Sequence, residues 1–424
     1  MPAPRRHLTV DAVRRHLAGR AFAPSDRGLV GVEIELLTYP SADPRRRPAA
    51  AELRTVTEGL RLPAGSRITL EPGGQVELST PPLPGLGAAL PAAAADLSAL
   101  AGALRRAGLR PVARGLDTLR PPERILARPR YAAMEAFFDL DGFAGRTMMC
   151  STASVQVNVE TGPAGVVAGR WRLAHDLGPL LVATFAHSPV PGGGGCGPRS
   201  ARQQVWSVMD PSRTAPVHRP GPAPDRGRPR DPDEEWLAYA LAARVMMIRL
   251  GDGRCVPVDG PFGAGQFTFA AWLERGHELG WPTVDDFDYH LTTLFPPVRP
   301  RGWLELRMLD SLPDPWWRVA AAVATALLED ADAGAVALDA VRRAGVAEHW
   351  RSAARHGLAD PALRAAAQAA FPAALAGLGR LGADPATVAA AESFHDRFVA
   401  RGRCPADDPA RIPDVEFAGL TPEW

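Results

Sequence analysis

The 424-residue chain is 46% apolar and 22% charged, ordinary values for a globular protein with ample material for a buried core. Its formal charge of +1 gives no argument for nucleic acid or a membrane surface as partner, which leaves small molecules as the expected ligands. There is no lysine, so a Schiff-base lysine, a pyridoxal-phosphate site and a Walker lysine are excluded, and any bound phosphate has to rely on arginine, backbone amides and metal.

The N-terminus lacks the continuous apolar run of a signal peptide, and no window approaches the ~18 uninterrupted apolar residues of a membrane span. Cys150, Cys196, Cys255 and Cys404 are scattered, with no CxxC pair, which reads as free thiols in a cytoplasmic protein. Cys150 is expected to be a buried structural thiol rather than a reactive one.

Residues 9–21 read as a short amphipathic helix. The next stretch, GVEIEL at 31–36, is the first polar strand. Glu33 and Glu35 leave one face, while Val32, Ile34 and Leu36 leave the other. At strand rise the two glutamates lie roughly 6.5 Å apart, a spacing that suits two neighbouring divalent ions. Residues 39–51 form a Pro- and Arg-rich loop. The second polar strand region, 68–79, places Gln75, Glu77 and Ser79 opposite Val76 and Leu78, with Gly73 and Gly74 permitting a bulge or a close backbone approach. PPLPG at 81–85 ends it.

Residues 88–107 form a helix rich in Ala and Leu. A strand is expected at 112–120, a helical turn at 131–138 and the third polar strand at 148–159, where Ser154, Gln156 and Asn158 oppose Val155, Val157 and Val159. Residues 164–186 read as a long helix interrupted near Gly178 and Pro179. The glycine run at 189–197 is a loop, 200–210 a helix, 211–214 a turn and 215–234 a long loop. Residues 236–250 are helix or strand, followed by a loop at 260–265 and a helical piece at 269–277. The fourth polar strand, 303–310, puts Glu305 and Arg307 opposite Leu304, Leu306 and Met308. From Trp316 onward, Ala and Leu at helical spacing predict three or four helices covering the sheet.

One such strand is an ordinary half-solvated strand. Four strands whose polar faces are dominated by carboxylates, amides and an arginine point to a functional sheet face.

In order, GVEIE, EPGGQVELS, MMCSTASVQVN, WSVMDPSRT and HLTTLFPPVRPRGWLELR resemble the glutamate-cysteine ligases of the plant and actinobacterial type, most of all their actinobacterial ergothioneine-biosynthesis branch. The resemblance covers roughly residues 28 to 318 and implies an α+β fold, a glutamine-synthetase-like antiparallel sheet funnel covered by helices with a helical C-terminal third. That divides the chain into a catalytic region, 1–318, and a helical region, 319–424, packed on the same domain. The implied activity is ATP-dependent joining of the γ-carboxylate of L-glutamate to the amine of L-cysteine through γ-glutamyl phosphate, with Mg²⁺ or Mn²⁺. Glu33, Glu35, Glu77 and Glu305 fall on metal positions, and Arg307, with Glu305, on the catalytic ones. Arg299, Gln156 and Asn158 fall on the nucleotide side. Gln156 stands where a more distant bacterial branch has histidine, which leaves metal ligand or phosphate contact open. Arg213, in the DPSRT turn, and Arg202 are the candidate substrate arginines. Another amine acceptor, or a non-catalytic nucleotide- or metal-binding relative, are the alternatives.

Overall fold

The computed structural model describes residues 7–190, 197–219, 231–258 and 267–408. The expected loops at 189–197, 215–234 and 260–265 lie wholly or partly outside the described residues, as does Cys196. The strands are β1 (Leu29–Pro40), β2 (Arg67–Leu70), β3 (Val76–Ser79), β4 (Leu83–Pro84), β5 (Leu109–Val112), β6 (Ser154–Glu160), β7 (Met247–Arg249), β8 (Cys255–Pro257), β9 (Val298–Pro300) and β10 (Trp303–Asp310). Among the described residues they form an eight-stranded sheet with the path β2-β3-β1-β6-β10-β9, on which β4 and β5 also pair with β1, and a separate β7-β8 hairpin. Every pairing between these strands is antiparallel, as expected.

The four polar strands therefore lie side by side as β3, β1, β6 and β10. Their register aligns Ser79, Glu33 and Gln156 in one row, Glu77 with Glu35 in the next, and Arg299, Glu305 and Asn158 in a third. Between Leu306 and Leu309 the β6–β10 register shifts, so two residues of β10, Arg307 and Met308, oppose one of β6. Such a bulge bends a strand and re-aims its side chains. Beyond it the parity changes, and the even-numbered Asp310 pairs with Ser154 of the polar rows.

The opposite face is dry. Val32, Ile34, Val155, Val157, Leu304 and Leu306 are buried in one core cluster with Trp317, Ala320, Val323, Ala324 and Leu327 of the helix Trp316–Glu329. Five helices, Trp316–Glu329, Ala331–Ala344, Trp350–His356, Pro361–Arg380 and Pro385–Arg397, make up the C-terminal cover, one or two more than expected. The expected boundary after residue 318 falls inside the first of them, so the chain has no break there. The helix Gly85–Arg106 is long and apolar enough to cross a membrane, yet Leu86, Ala89, Leu90, Ala93, Leu100 and Leu104 are buried in the cores of this fold.

Several expectations change locally. The strand expected at 112–120 ends at Val112, because the Asp117 carboxylate captures the backbone N–H groups of Leu119 and Arg120 and the Arg120 Nε at 2.7 Å, which fixes a turn instead. Residues 148–151 close the helix Ala144–Ser151, and the third polar strand starts only at Ser154. Residues 236–250 divide between the helix Pro232–Ala242, capped by Asp231, and β7. The long helix at 164–186 is two, Val167–Asp176 and Gly178–Phe185.

The turn between β2 and β3 is pressed onto the end of the Ala144–Ser151 helix. A Cβ on Gly73 would lie 2.1 Å from the carbonyl oxygen of Cys150. Arg47 clamps the contact by donating from Nη1 to the carbonyls of Gly73 at 2.7 Å and Cys150 at 3.2 Å. Gly73→Ala has to push the two backbones apart, and the expected loss of stability is about 1–3 kcal/mol, measured by urea unfolding.

Candidate active site

The polar rows open into a cavity of about 260 Å³ lined by Glu33, Glu35, Glu71, Glu77 and Glu305, by Arg130, Arg202, Arg299, Arg301 and Arg307, and by Gln75, Ser154 and Gln156. Tyr131, Met134, Met148, Met149, Trp206 and Phe295 make an apolar part of its wall, with Thr152 and Thr292 beside them. A second cavity, of about 450 Å³, opens on the same face nearer the start of β10 and is lined by Arg27, Arg67, Ser79, Thr80, Asn158 and Trp303 among others. Glu33, Glu77 and Arg301 belong to both, so the two spaces meet there.

The acids fall into two electrostatic groups. Burial, then the charges of Glu305 and Glu77, push the Glu33 carboxyl up to about 7. Burial and Glu77 do the same to Glu35, also to about 7, although Ser154 N donates to its Oε2 at 2.7 Å and Gln156 Nε2 to its Oε1 at 3.2 Å. Glu71 is pushed up to about 8 by burial and by Glu77 and Glu35. Glu77 accepts from Thr69 Oγ1 at 2.7 Å and Ser79 Oγ at 3.0 Å.

Glu305 behaves oppositely. Burial opposes its ionisation, but Arg299, Arg307 and Arg301 outweigh it and hold the carboxyl down at about 2. Arg299 grips both oxygens, Nε to Oε2 at 2.6 Å and Nη2 to Oε1 at 3.1 Å, while Arg307 Nη1 lies 3.3 Å from Oε2. Glu305, expected among the metal ligands, has both oxygens engaged by arginine in this structure. Arg299, expected at nucleotide phosphate, lines the acidic cavity but spends its guanidinium on Glu305 and on the Leu294 carbonyl. Among the described residues, no three acidic, histidine or cysteine side chains already converge as a ready-made metal cage.

Arg307 reaches Gln156 Oε1 at 2.5 Å from Nη1, and its Nε is buried without a hydrogen-bond partner in the protein. Arg202, 2% exposed, donates from Nη2 to the Arg307 carbonyl at 2.7 Å, and its Nε and Nη1 are buried with no hydrogen bond. The nearest counter-charge to Arg202 Nη1 is Asp310 Oδ1 at 3.9 Å. Asp310 itself is filled by His187 N, Ser188 Oγ and Ser200 Oγ, at 2.8, 2.7 and 2.9 Å. Ser188 Oγ in turn accepts from Arg202 N at 3.1 Å, so Asp310 anchors the segment that presents Arg202. Buried guanidinium donors facing a cavity call for an anionic ligand.

Arg213 is not part of this arrangement. It lines neither cavity, is fully buried, and ties Asp210 (2.8 Å), the Thr293 carbonyl (2.8 Å) and the Arg244 carbonyl (2.7 Å) together. The substrate role expected for it is corrected to that of a structural clasp, which the DPSRT spacing alone could not distinguish. Trp206 lines the acidic cavity with a buried, unpartnered Nε1. Glu71, which the sequence reading does not single out, lines the cavity from the turn between β2 and β3; counting back in twos from Glu77 and Gln75 reaches it and is the signal that could have found it. Cys150 is buried and its thiol is pushed up to about 12 by desolvation, as expected for an inert cysteine.

Comparison with known proteins gives the family. The model of the family "Glutamate-cysteine ligase family 2 (GCS2)" matches residues 29–415. A Mycolicibacterium smegmatis protein named glutamate–cysteine ligase EgtA is 44% identical over 400 residues, 93% of this chain and 89% of its own. A chloroplastic glutamate–cysteine ligase of Brassica juncea is 31% identical, covering 62% of this chain and 50% of its own. In structure, a Francisella tularensis glutamate–cysteine ligase solved with AMP superposes with a TM-score of 0.51 at 12% identity, covering 91% of this chain and 84% of that one, which establishes the shared fold. By a family match that runs through all four polar strands and into the helical cover, this chain belongs to glutamate-cysteine ligase family 2.

Proposed function

We propose that this protein couples ATP cleavage to formation of γ-glutamylcysteine, for ergothioneine biosynthesis as in the branch its motifs resemble. The observation that carries the reading is the pair of cavities on one sheet face. One is acidic with free arginine donors, the other is lined by Arg27, Arg67 and Trp303, and they share Glu33, Glu77 and Arg301. Two anionic reactants have to meet, and a junction between two cavities lets each enter from its own side.

The amino acids occupy the acidic cavity and the nucleotide the other. Arg202, with two unfilled donors, holds a substrate carboxylate. The wall of Met134, Met148, Met149, Trp206 and Phe295 suits a soft, weakly hydrated thiol better than a hydroxyl, which favours cysteine as the amine acceptor. At the junction a γ-carboxylate oxygen of glutamate forms a bond to the terminal phosphorus as ADP leaves. The cysteine nitrogen then attacks the acyl carbon, loses a proton and expels phosphate. Arg307, held beside Glu305 and bonded to Gln156, keeps its Nε for charge on the transferring group.

Glu33, Glu35, Glu71 and Glu77 line one cavity with oxygen donors only, without converging into a ready-made cage, and burial together with their mutual repulsion holds three of them above their ordinary range. That set fits Mg²⁺ or Mn²⁺. Bound there, divalent cations supply the positive charge that neutralises both the carboxylates and the triphosphate.

Cysteine-dependent ADP release with glutamate tests the reading directly, and ADP release indifferent to cysteine would remove it. Arg202→Lys keeps the charge but loses the planar fork, so the KM for glutamate is expected to rise about tenfold with thermal stability little changed. Arg213→Lys is expected to do the reverse, lowering Tm while leaving KM within about twofold.

The carboxylates also fix the sign of a pH effect. Glu33, Glu35 and Glu71 titrate near 7, 7 and 8 in the fold against an ordinary 4.5, so between these values the folded state binds more protons than the unfolded one. Their contribution is complete below about pH 4.5 and is lost as pH rises through 7 to 8. Tm of metal-free protein should therefore fall over that window, and millimolar Mg²⁺ should restore it more at pH 8 than at pH 5. Glu71→Gln should flatten the slope. A Tm at pH 8 indifferent to Mg²⁺ and Mn²⁺ would exclude the metal assignment.

A further inference from the structure

The rim between the cavities carries a chain of hydrogen bonds whose polarity follows from chemistry alone. Trp303 Nε1 donates to Asn158 Oδ1 at 2.8 Å, and Asn158 Nδ2 donates to Glu33 Oε1 at 3.2 Å. The two ends of an amide are assigned from their partners. An indole nitrogen is a donor only, so the oxygen end of Asn158 has to face Trp303. The NH₂ end then points at Glu33, which an ionised carboxylate accepts. A flipped amide would set N–H against N–H at one end and oxygen against carboxylate at the other.

The fold holds each member in place. Asn158 sits in the β6 row between Gly31 of β1 and Glu305 of β10. Trp303 opens β10, is 38% exposed and lies with the Arg301 guanidinium 5.3 Å from its ring. The ring is only partly covered, and its one polar atom is spent on Asn158.

We propose that Trp303 is a positioning residue of the ligase reaction: its indole N–H locks the Asn158 amide in the orientation that donates to Glu33 and so holds that carboxylate at the junction of the two cavities. The inference rests on the ligase reading, which gives the junction its chemistry, and it adds a residue that touches no reacting atom.

The sequence offers an unusually direct test, because Asn158 is the only asparagine in the chain. Protein labelled with ¹⁵N-asparagine shows a single side-chain NH₂ pair by NMR, read without any turnover. Trp303→Phe keeps an aromatic ring and loses only the N–H. It is expected to shift that pair and to raise its exchange with water about tenfold, as release of a hydrogen-bonded amide does. The same variant should lose about tenfold in kcat, with KM for glutamate, cysteine and ATP within about threefold and Tm within a few degrees. Asn158→Asp should give a similar kcat loss, and the double variant little more, since both act through one contact.

An unmoved amide pair in Trp303→Phe would overturn the role of Trp303 alone, as would a kcat loss that only tracks a lower Tm. Wild-type protein without cysteine-dependent ADP release would overturn the ligase reading and with it any part for Trp303 in that reaction, while the amide signal still reports whether the lock exists.

Discussion

Gathering five carboxylates on one desolvated sheet face is the constraint to which the rest of the structure answers. Like charges at these separations repel, and burial raises the cost by removing the water that would screen them. The chain meets the problem with two different devices. Around Glu305 it supplies permanent counter-charge, in the bidentate grip of Arg299 with Arg307 and Arg301 close by. Around Glu33 and Glu35 it supplies amide donors, and around these two and Glu71 it leaves the charge short. An imbalance confined to one end of the face is what a site for a bound cation requires, whereas a fully paired network would serve only the fold.

Much of this face was legible in the sequence, because strand alternation is an exact period of two. The placements of Glu33, Glu35, Glu77, Gln156, Asn158, Glu305 and Arg307 on one face followed from counting, and the register bears them out. Counting in twos does not settle the positions where the period breaks. Asp310 changes parity at the β10 bulge, and Glu71 lies in a turn while still lining the cavity. Arginines were legible only as a class. Arg202 and Arg213 lie in adjoining segments with similar neighbours, yet one has donors to spare and the other has none, since carbonyls distant in sequence fill it. No local pattern encodes which distant carbonyls arrive.

The division of labour between the two sides of the sheet is equally plain in physical terms. The dry face carries the energetics, with the valines of β6 and the leucines of β10 buried against the helix Trp316–Glu329. The polar face is then free to hold unfavourable chemistry, because its strands are already pinned from behind. The Gly73 contact extends the same principle sideways, since a backbone pressed onto another backbone cannot drift and the turn that carries Glu71 is fixed by it.

The helix that runs unbroken through residue 318 has a consequence for how the molecule opens. Because the helical cover and the sheet share one apolar cluster, the strands bearing the site have no route to separate fluctuation, and the whole assembly behaves as one cooperative unit. Amide protons of β6 and β10 and those of the Trp316–Glu329 helix would then exchange with solvent through the same rare global opening. Breathing motions that admit substrates are then confined to the rim where the two cavities open.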